Sequence, residues 1–169
     1  MERCVYFKDT IFSSGKTDIF NGDQQKRGVL DLRSAFSSGV SIEDESGRVI
    51  VEGGFPFLSG KWVVKQPDGK EYGVVKSSFA FFSKRYHYVT NEQTYEIEAP
   101  AFSKEYTLFD ENKLEVATFK KVNGLFQAAA YELKHNSERM LTEELIAVVM
   151  GVNAIEKRNR SSAGAGAGG

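Results

Sequence analysis

The sequence predicts a mainly β protein, a closed antiparallel β-barrel of about twelve strands enclosing a hydrophobic C-terminal α-helix. Three observations lead there. Short runs of β-forming residues alternate with polar turns at intervals of about twenty residues. One segment, LTEELIAVVMGVNAIEK (Leu141–Lys157), has helical character and is apolar on every side. A dozen antiparallel strands curl or split, and closure removes the edges that an open sheet would expose. The chain has 169 residues, 41% hydrophobic and 27% charged, which suits one domain of ordinary size with a substantial core.

Taken in order, CVYFK from Cys4, DIF ending at Phe20 and GVLDLRS from Gly28 read as the first strands. From about Gly39 four turns punctuate the chain: DESG (Asp44–Gly47), PDGK (Pro67–Lys70), TNEQ (Thr90–Gln93) and DENK (Asp110–Lys113). Their flanks, VIVEGG, KWVVK, YGVVK, YHYV, YEIEA, YTLF and LEVATF, are rich in the β-branched and aromatic residues that suit a pleated surface. Each turn reads as a hairpin, so sequence neighbours pair in a meander. LFQAAAYELK, ending at Lys134, is the last strand before the helix.

Between Leu145 and Ile155 only Asn153 is clearly polar, so water is not the neighbour of this helix. It is also too short to span a bilayer, which takes roughly 20 apolar residues. Glu143 and Glu144 precede it and Glu156, Lys157 and Arg158 follow it, an order that suits the helix dipole. Thr142 is the expected N-cap. The expected plug of the barrel is Leu145, Ile146, Val148, Val149, Val152 and Ile155. Asn153 is expected to bond to the wall, since an unpaired buried amide costs about 1–3 kcal/mol. The domain is expected over 1–158, with the helix over about 142–158 and a flexible Gly/Ala/Ser tail over 159–169.

The pattern VSIEDESGRVIVEGGFPFLSGKWVVKQPDGKEYGVVKSSFAFFSKRYHYV, followed by further hairpins and the apolar helix, resembles the LURP-one-related family of the tubby C-terminal-like and phospholipid scramblase-like superfamily. The similarity runs over about Gly28 to Arg158 and is carried by the D-x-x-G-x-V turn at Asp44–Val49, the P-D-G-K-E-x-G turn at Pro67–Gly73 and the helix. The resemblance implies a roughly twelve-stranded barrel around a hydrophobic helix. It also implies kinship with tubby domains, which dock on membranes through phosphoinositide headgroups. No tubby lipid-binding motif maps onto particular residues here, so this implication is one of fold.

A net charge of -1 offers no whole-molecule attraction to nucleic acid. MERCVYFKDT is no signal peptide, and no segment is long and apolar enough to span a membrane, so a cytoplasmic protein is expected, peripheral at the inner membrane face if it docks there. The single cysteine, Cys4, reads as a buried strand thiol. SSGKT (Ser13–Thr17) ends like a phosphate-binding loop, but Thr10 stands where the motif needs glycine, and a hairpin turn is the better reading. In DENKLE, Asp110, Asn112 and Glu115 are weak metal-ligand candidates against an acidic turn. His87 and His135 read as structural histidines, and neither a catalytic constellation nor a cofactor is expected.

Lys61 to Arg85 holds six cations against Asp68 and Glu71, interleaved with Trp62, Tyr72, Phe79, Phe81 and Phe82. Such a basic, aromatic stretch is either ordinary barrel wall or a surface drawn to anionic lipid. Lys61, Lys65, Lys76, Lys84 and Arg85 are the candidate headgroup contacts. The expected function is therefore a non-enzymatic module docking on anionic phospholipid or phosphoinositide membrane surfaces. The alternative is a scaffold barrel for an unknown protein partner with no lipid role.

Overall fold

The computed structural model describes residues 1–13, 15–33, 39–78, 84–100, 103–124 and 128–165; the side chains of Arg33, Lys84 and residues 163–165 are outside that description. Twelve strands follow in sequence order: β1 (Cys4–Lys8), β2 (Gly15–Phe20), β3 (Lys26–Arg33), β4 (Gly39–Glu43), β5 (Val49–Gly54), β6 (Trp62–Lys65), β7 (Glu71–Ser78), β8 (Lys84–Thr90), β9 (Thr94–Ala99), β10 (Tyr106–Phe109), β11 (Glu115–Val122) and β12 (Ala130–His135). Each pairs antiparallel with its sequence neighbours. β1 then pairs with β12, from Cys4 opposite Lys134 to Lys8 opposite Ala130, and the barrel closes. A short 3-10 turn, Asp9–Phe12, follows β1.

Alternation puts one face of each strand inward. Val5 and Phe7 of β1, Val40 and Ile42 of β4, Tyr86 and Tyr88 of β8, and Tyr95 and Ile97 of β9 are all buried. The C-terminal helix α1 (Thr142–Ala165) fills the interior. Leu145, Ile146, Val148, Val149, Val152 and Ile155 are buried to within 3% of complete. The helix lies off-centre, closest to β4, β5, β6 and β7. Those strands turn small and aliphatic residues inward, among them Val51, Gly53, Val64, Gly73 and Val75. On the far side the gap is filled by rings: Phe119 stacks between Tyr106 (centroids 6.0 Å) and Tyr131 (5.0 Å), with Phe7 tilted against it at 6.2 Å.

Helix and wall pack tightly at Trp62. Its indole Nε1–H donates to the Ala147 carbonyl at 3.1 Å, sharing an acceptor of the helix backbone. The ring lies flat against Gly151, where a Cβ would fall 2.4 Å from Trp62 Cδ1, and against Gly53, where one would fall 2.8 Å from Nε1. Side chains do not tolerate such approaches, so glycine at both positions is a steric requirement.

Several expectations are corrected by this packing. Thr142 does not cap the helix: its hydroxyl donates to the Glu2 carbonyl (2.8 Å) and meets His135 Nε2 (2.9 Å), while Glu144 Oε2 accepts from the Leu141 N–H (3.4 Å) and takes the capping role. The helix passes Arg158 and continues to Ala165, shortening the expected tail at its start. Arg160 pairs with Glu156 one turn back at 3.3 Å, and the Ser161 and Ser162 hydroxyls donate to the Lys157 and Arg158 carbonyls, both at 3.0 Å, all of which extends the helix. Residues 166–169 lie outside the described residues. Cys4 is half-buried rather than buried, on the outer face with Tyr6, because β1 turns Val5 and Phe7 inward. SSGKT, expected as a hairpin turn, runs into strand β2 from Gly15 onward, and Lys16 is held by Glu43 at 3.0 Å.

Gly151→Ala is expected to lower stability by about 1–3 kcal/mol through overpacking against Trp62. Urea unfolding measures this, and Trp62→Phe in the same chain is expected to restore part of the loss. An unchanged midpoint for Gly151→Ala contradicts the steric reading.

Candidate functional site

Because every connection of the meander reverses the chain, successive connections lie at alternate ends of the barrel. The two ends differ in chemistry. One holds the hairpin connections 21–25, 44–48, 66–70, 91–93 and 110–114, and each carries at least one carboxylate: Asp23, Asp44, Asp68, Glu92 and Asp110. Asp44, Asp68 and Asp110 organise their turns through a carboxylate oxygen, while Asn21 Oδ1 and Thr90 Oγ1 do so in the other two. Asp44 Oδ1 accepts from the amides of Ser46 (2.9 Å) and Arg48 (3.1 Å) and from the Ser46 hydroxyl (2.6 Å). These bonds, the hydroxyl's first, hold its carboxyl at about 2.

Asp110 Oδ1 likewise accepts from the Asn112 and Leu114 amides, both at 2.9 Å, so the DENKLE segment is an acidic turn whose leading carboxylate oxygen is occupied. Among the described residues no group of three or more His, Cys, Asp or Glu side chains stands in a position to hold a metal, Asp110 and Glu115 included.

The opposite end is built from the Asp9–Phe12 turn, the connection 55–61, residues 103–105 and the later turns of α1. It is basic and aromatic. Lys104 Nζ donates to Asn153 Oδ1 at 2.7 Å and stands 4.1 Å from the centre of the Phe12 ring. Burial, with Lys157 and Arg160 nearby, lowers its pKa. The Asn153 amide thus bonds to the connection before β10. Lys157 donates to the Phe12 carbonyl (3.3 Å), and Arg158 donates to the Ser59 carbonyl (2.7 Å) while its guanidinium lies 4.9 Å from the Phe55 ring centre. At the tip of the 55–61 connection Phe57 is 93% and Leu58 88% exposed, the largest exposures among the large hydrophobics of the described residues.

The residues singled out from the sequence do not form one patch. Lys65 sits towards the acidic end and faces Glu52 at 3.8 Å, and Arg85 pairs with Glu96 at 3.3 Å. These carboxylates come from β5 and β9, outside the stretch whose charge was counted. Lys61 and Lys76 have no carboxylate at ion-pair distance among the described residues and line one shallow depression of about 210 Å³ with Glu71, Tyr72 and Asn91. The side chain of Lys84, and Phe79, Phe81 and Phe82, lie outside the described residues. Sequence reasoning passed over Lys104, Arg160, Phe57 and Leu58. The available signal was FPFLSG, an apolar run where the strand pattern requires a polar turn.

Inside the barrel the helix carboxylates Glu143, Glu144 and Glu156 are all buried. Tyr88 donates to Glu144 at 2.6 Å and Tyr86 to Glu156 at 3.3 Å, while Glu143 meets the Met1 amino group at 3.3 Å. Burial raises the Glu144 carboxyl above its ordinary 4.5, and burial beside that carboxylate raises the Tyr88 phenol. His135 is buried as well. The Thr142 hydroxyl spends its proton on the Glu2 carbonyl, so His135 Nε2 is the donor to it; burial, then Arg3, lowers the His135 pKa.

Since folding raises the Glu144 pKa, the native state gains from its protonation below about 4.5 and loses that gain as pH rises. Thermal unfolding of the wild type against Glu144→Gln is expected to show the wild type losing relative stability as pH climbs above 4.5. A difference constant with pH contradicts the assignment.

No protein-family model matches the chain, and no curated protein matches it. Among solved structures, an X-ray structure of a protein from Arabidopsis thaliana, AT5G01750, is similar: the TM-score is 0.59 with 11% identity, over 89% of this chain and 91% of that one. The likeness is one of fold.

Proposed function

We propose that this protein is a non-enzymatic binding module that docks on anionic phospholipid surfaces with its basic, aromatic end. The observation that carries the reading is the contrast between the two ends. Carboxylates occupy the hairpin turns at one. At the other, Lys61, Lys104, Lys157, Arg158 and Arg160 gather against Asp9, Glu105 and the buried Glu156. A molecule charged in this way orients itself over an anionic surface, each cation near the lipid contributing on the order of 1 kcal/mol. The resemblance to LURP-one-related proteins, with membership of that family as part of this proposal, supports the reading, since their tubby relatives act at such surfaces.

The interior supports a binding role over a carrier role. The helix occupies the volume in which a barrel of this size would otherwise hold a small molecule. Among the described residues no helix is long and apolar enough to cross a membrane, so attachment would be peripheral if strands do not span.

The test is co-sedimentation with phosphatidylcholine vesicles, with and without phosphatidylserine or a phosphoinositide, at low and near-physiological salt. Binding that needs the anionic lipid and weakens with salt is expected. Lys61→Glu with Lys157→Glu is expected to weaken it roughly thirtyfold or more, given the contribution of each cation. Lys70→Glu, at the acidic end, is expected to leave it unchanged. Equal losses from both changes, or none from the double reversal, refute the orientation. No binding under any condition moves the search to a protein partner.

A further inference from the structure

The connection between β5 and β6 presents two large apolar side chains, Phe57 and Leu58, to solvent, although the polar turns at the other end show that nothing in the meander requires this. The loop is braced at both stems. Phe55 packs edge-on against Trp62 at 5.2 Å under the Arg158 guanidinium, and Arg158 ties down the Ser59 carbonyl. The Lys61 amide donates to Ser59 Oγ at 3.1 Å. Between the stems a tight turn is closed by the Ser59 amide on the Pro56 carbonyl at 2.9 Å, with Leu58 at φ 57°. That left-handed conformation favours glycine or asparagine and costs leucine roughly 1 kcal/mol or more. A leucine there sits at odds with the turn and makes no compensating buried contact. Its side chain, like that of Phe57, is held away from the protein.

We infer that Phe57 and Leu58 form a hydrophobic wedge that enters an anionic bilayer when the barrel's basic end meets it. The proposal rests on the membrane reading and adds an insertion element. Charge complementarity identifies the occupant: Lys61 and Arg158 flank the wedge, with Lys157, Lys104 and Arg160 behind it, so the phosphate layer would meet cations at the depth where the two side chains pass through. Two side chains are also a small area beside the roughly 800 Å² per partner of a stable protein interface. A fluid bilayer needs no such matched surface.

The wedge is testable without endangering the fold, because both side chains are exposed and glycine at 58 relieves the backbone. Phe57→Ser and Leu58→Gly are each expected to reduce partitioning onto phosphatidylcholine–phosphatidylserine vesicles about tenfold, chiefly in the part that survives raised salt. Unfolding midpoints are expected to hold for Phe57→Ser and to hold or rise for Leu58→Gly. In a Phe57→Trp variant the emission is expected to shift to the blue on vesicles and to be quenched by bromine-labelled acyl chains, against the constant signal of buried Trp62. Salt-sensitive sedimentation with unquenched Trp and unaffected wedge variants leaves the docking reading standing and overturns the wedge. Absence of any vesicle binding by the wild type overturns both.

Discussion

The structure depends on how closely one helix fits one wall. Trp62 lies between Gly53 of β5 and Gly151 of α1 and bonds to a carbonyl of the helix itself, so the helix is located along the wall as well as pressed to it. A barrel of twelve strands is wider than one helix needs, and a centred helix would leave a shell of voids. Packing at native density forbids this. The solution is eccentric: small residues where the helix touches β4 to β7, and stacked rings on the far side. Change the glycines and the helix must move, and the aromatic filling then no longer matches the gap.

Enclosing the helix has an electrostatic consequence. Glu143, Glu144 and Glu156 are drawn under the rim of the barrel, where a carboxylate without partners is costly. Tyrosines of β8 answer two of them, Tyr88 at one end and Tyr86 towards the other, so this one strand serves both helix carboxylates. On the opposite side the His135–Thr142–Glu2 chain joins the end of β12, the start of the helix and the segment before β1. These polar contacts fix the depth at which the plug sits.

Fixing that depth also determines the surface. With the helix seated by Trp62 and its buried carboxylates, its later turns emerge at the end opposite the acidic hairpins and bring Lys157, Arg158 and Arg160 beside Lys104 and the 55–61 loop. Arg158 then acts on both sides of the rim, bracing Ser59 and covering Phe55. The basic, aromatic end is thus a product of the internal packing.

Much of the fold was legible in the chain alone. Period-two alternation and the turn chemistry of DESG, PDGK, TNEQ and DENK determined the hairpins, and the absence of a polar face from Leu145 to Ile155 determined that the helix is wrapped by protein. These are local properties, written within a few residues of where they act. The site was less legible, because charge balance is a property of neighbours in space. Lys65 and Arg85 look free in a window of sequence and meet Glu52 and Glu96 across strands. Thr142 has the composition of a cap and is diverted by His135, in the strand just before the helix, and by Glu2, from the other end of the chain. Only closure of the barrel decided which connections share an end, and with it that Phe57 and Leu58 stand beside the cations of a helix a hundred residues away, since antiparallel pairing sorts turns by parity and not by sequence distance.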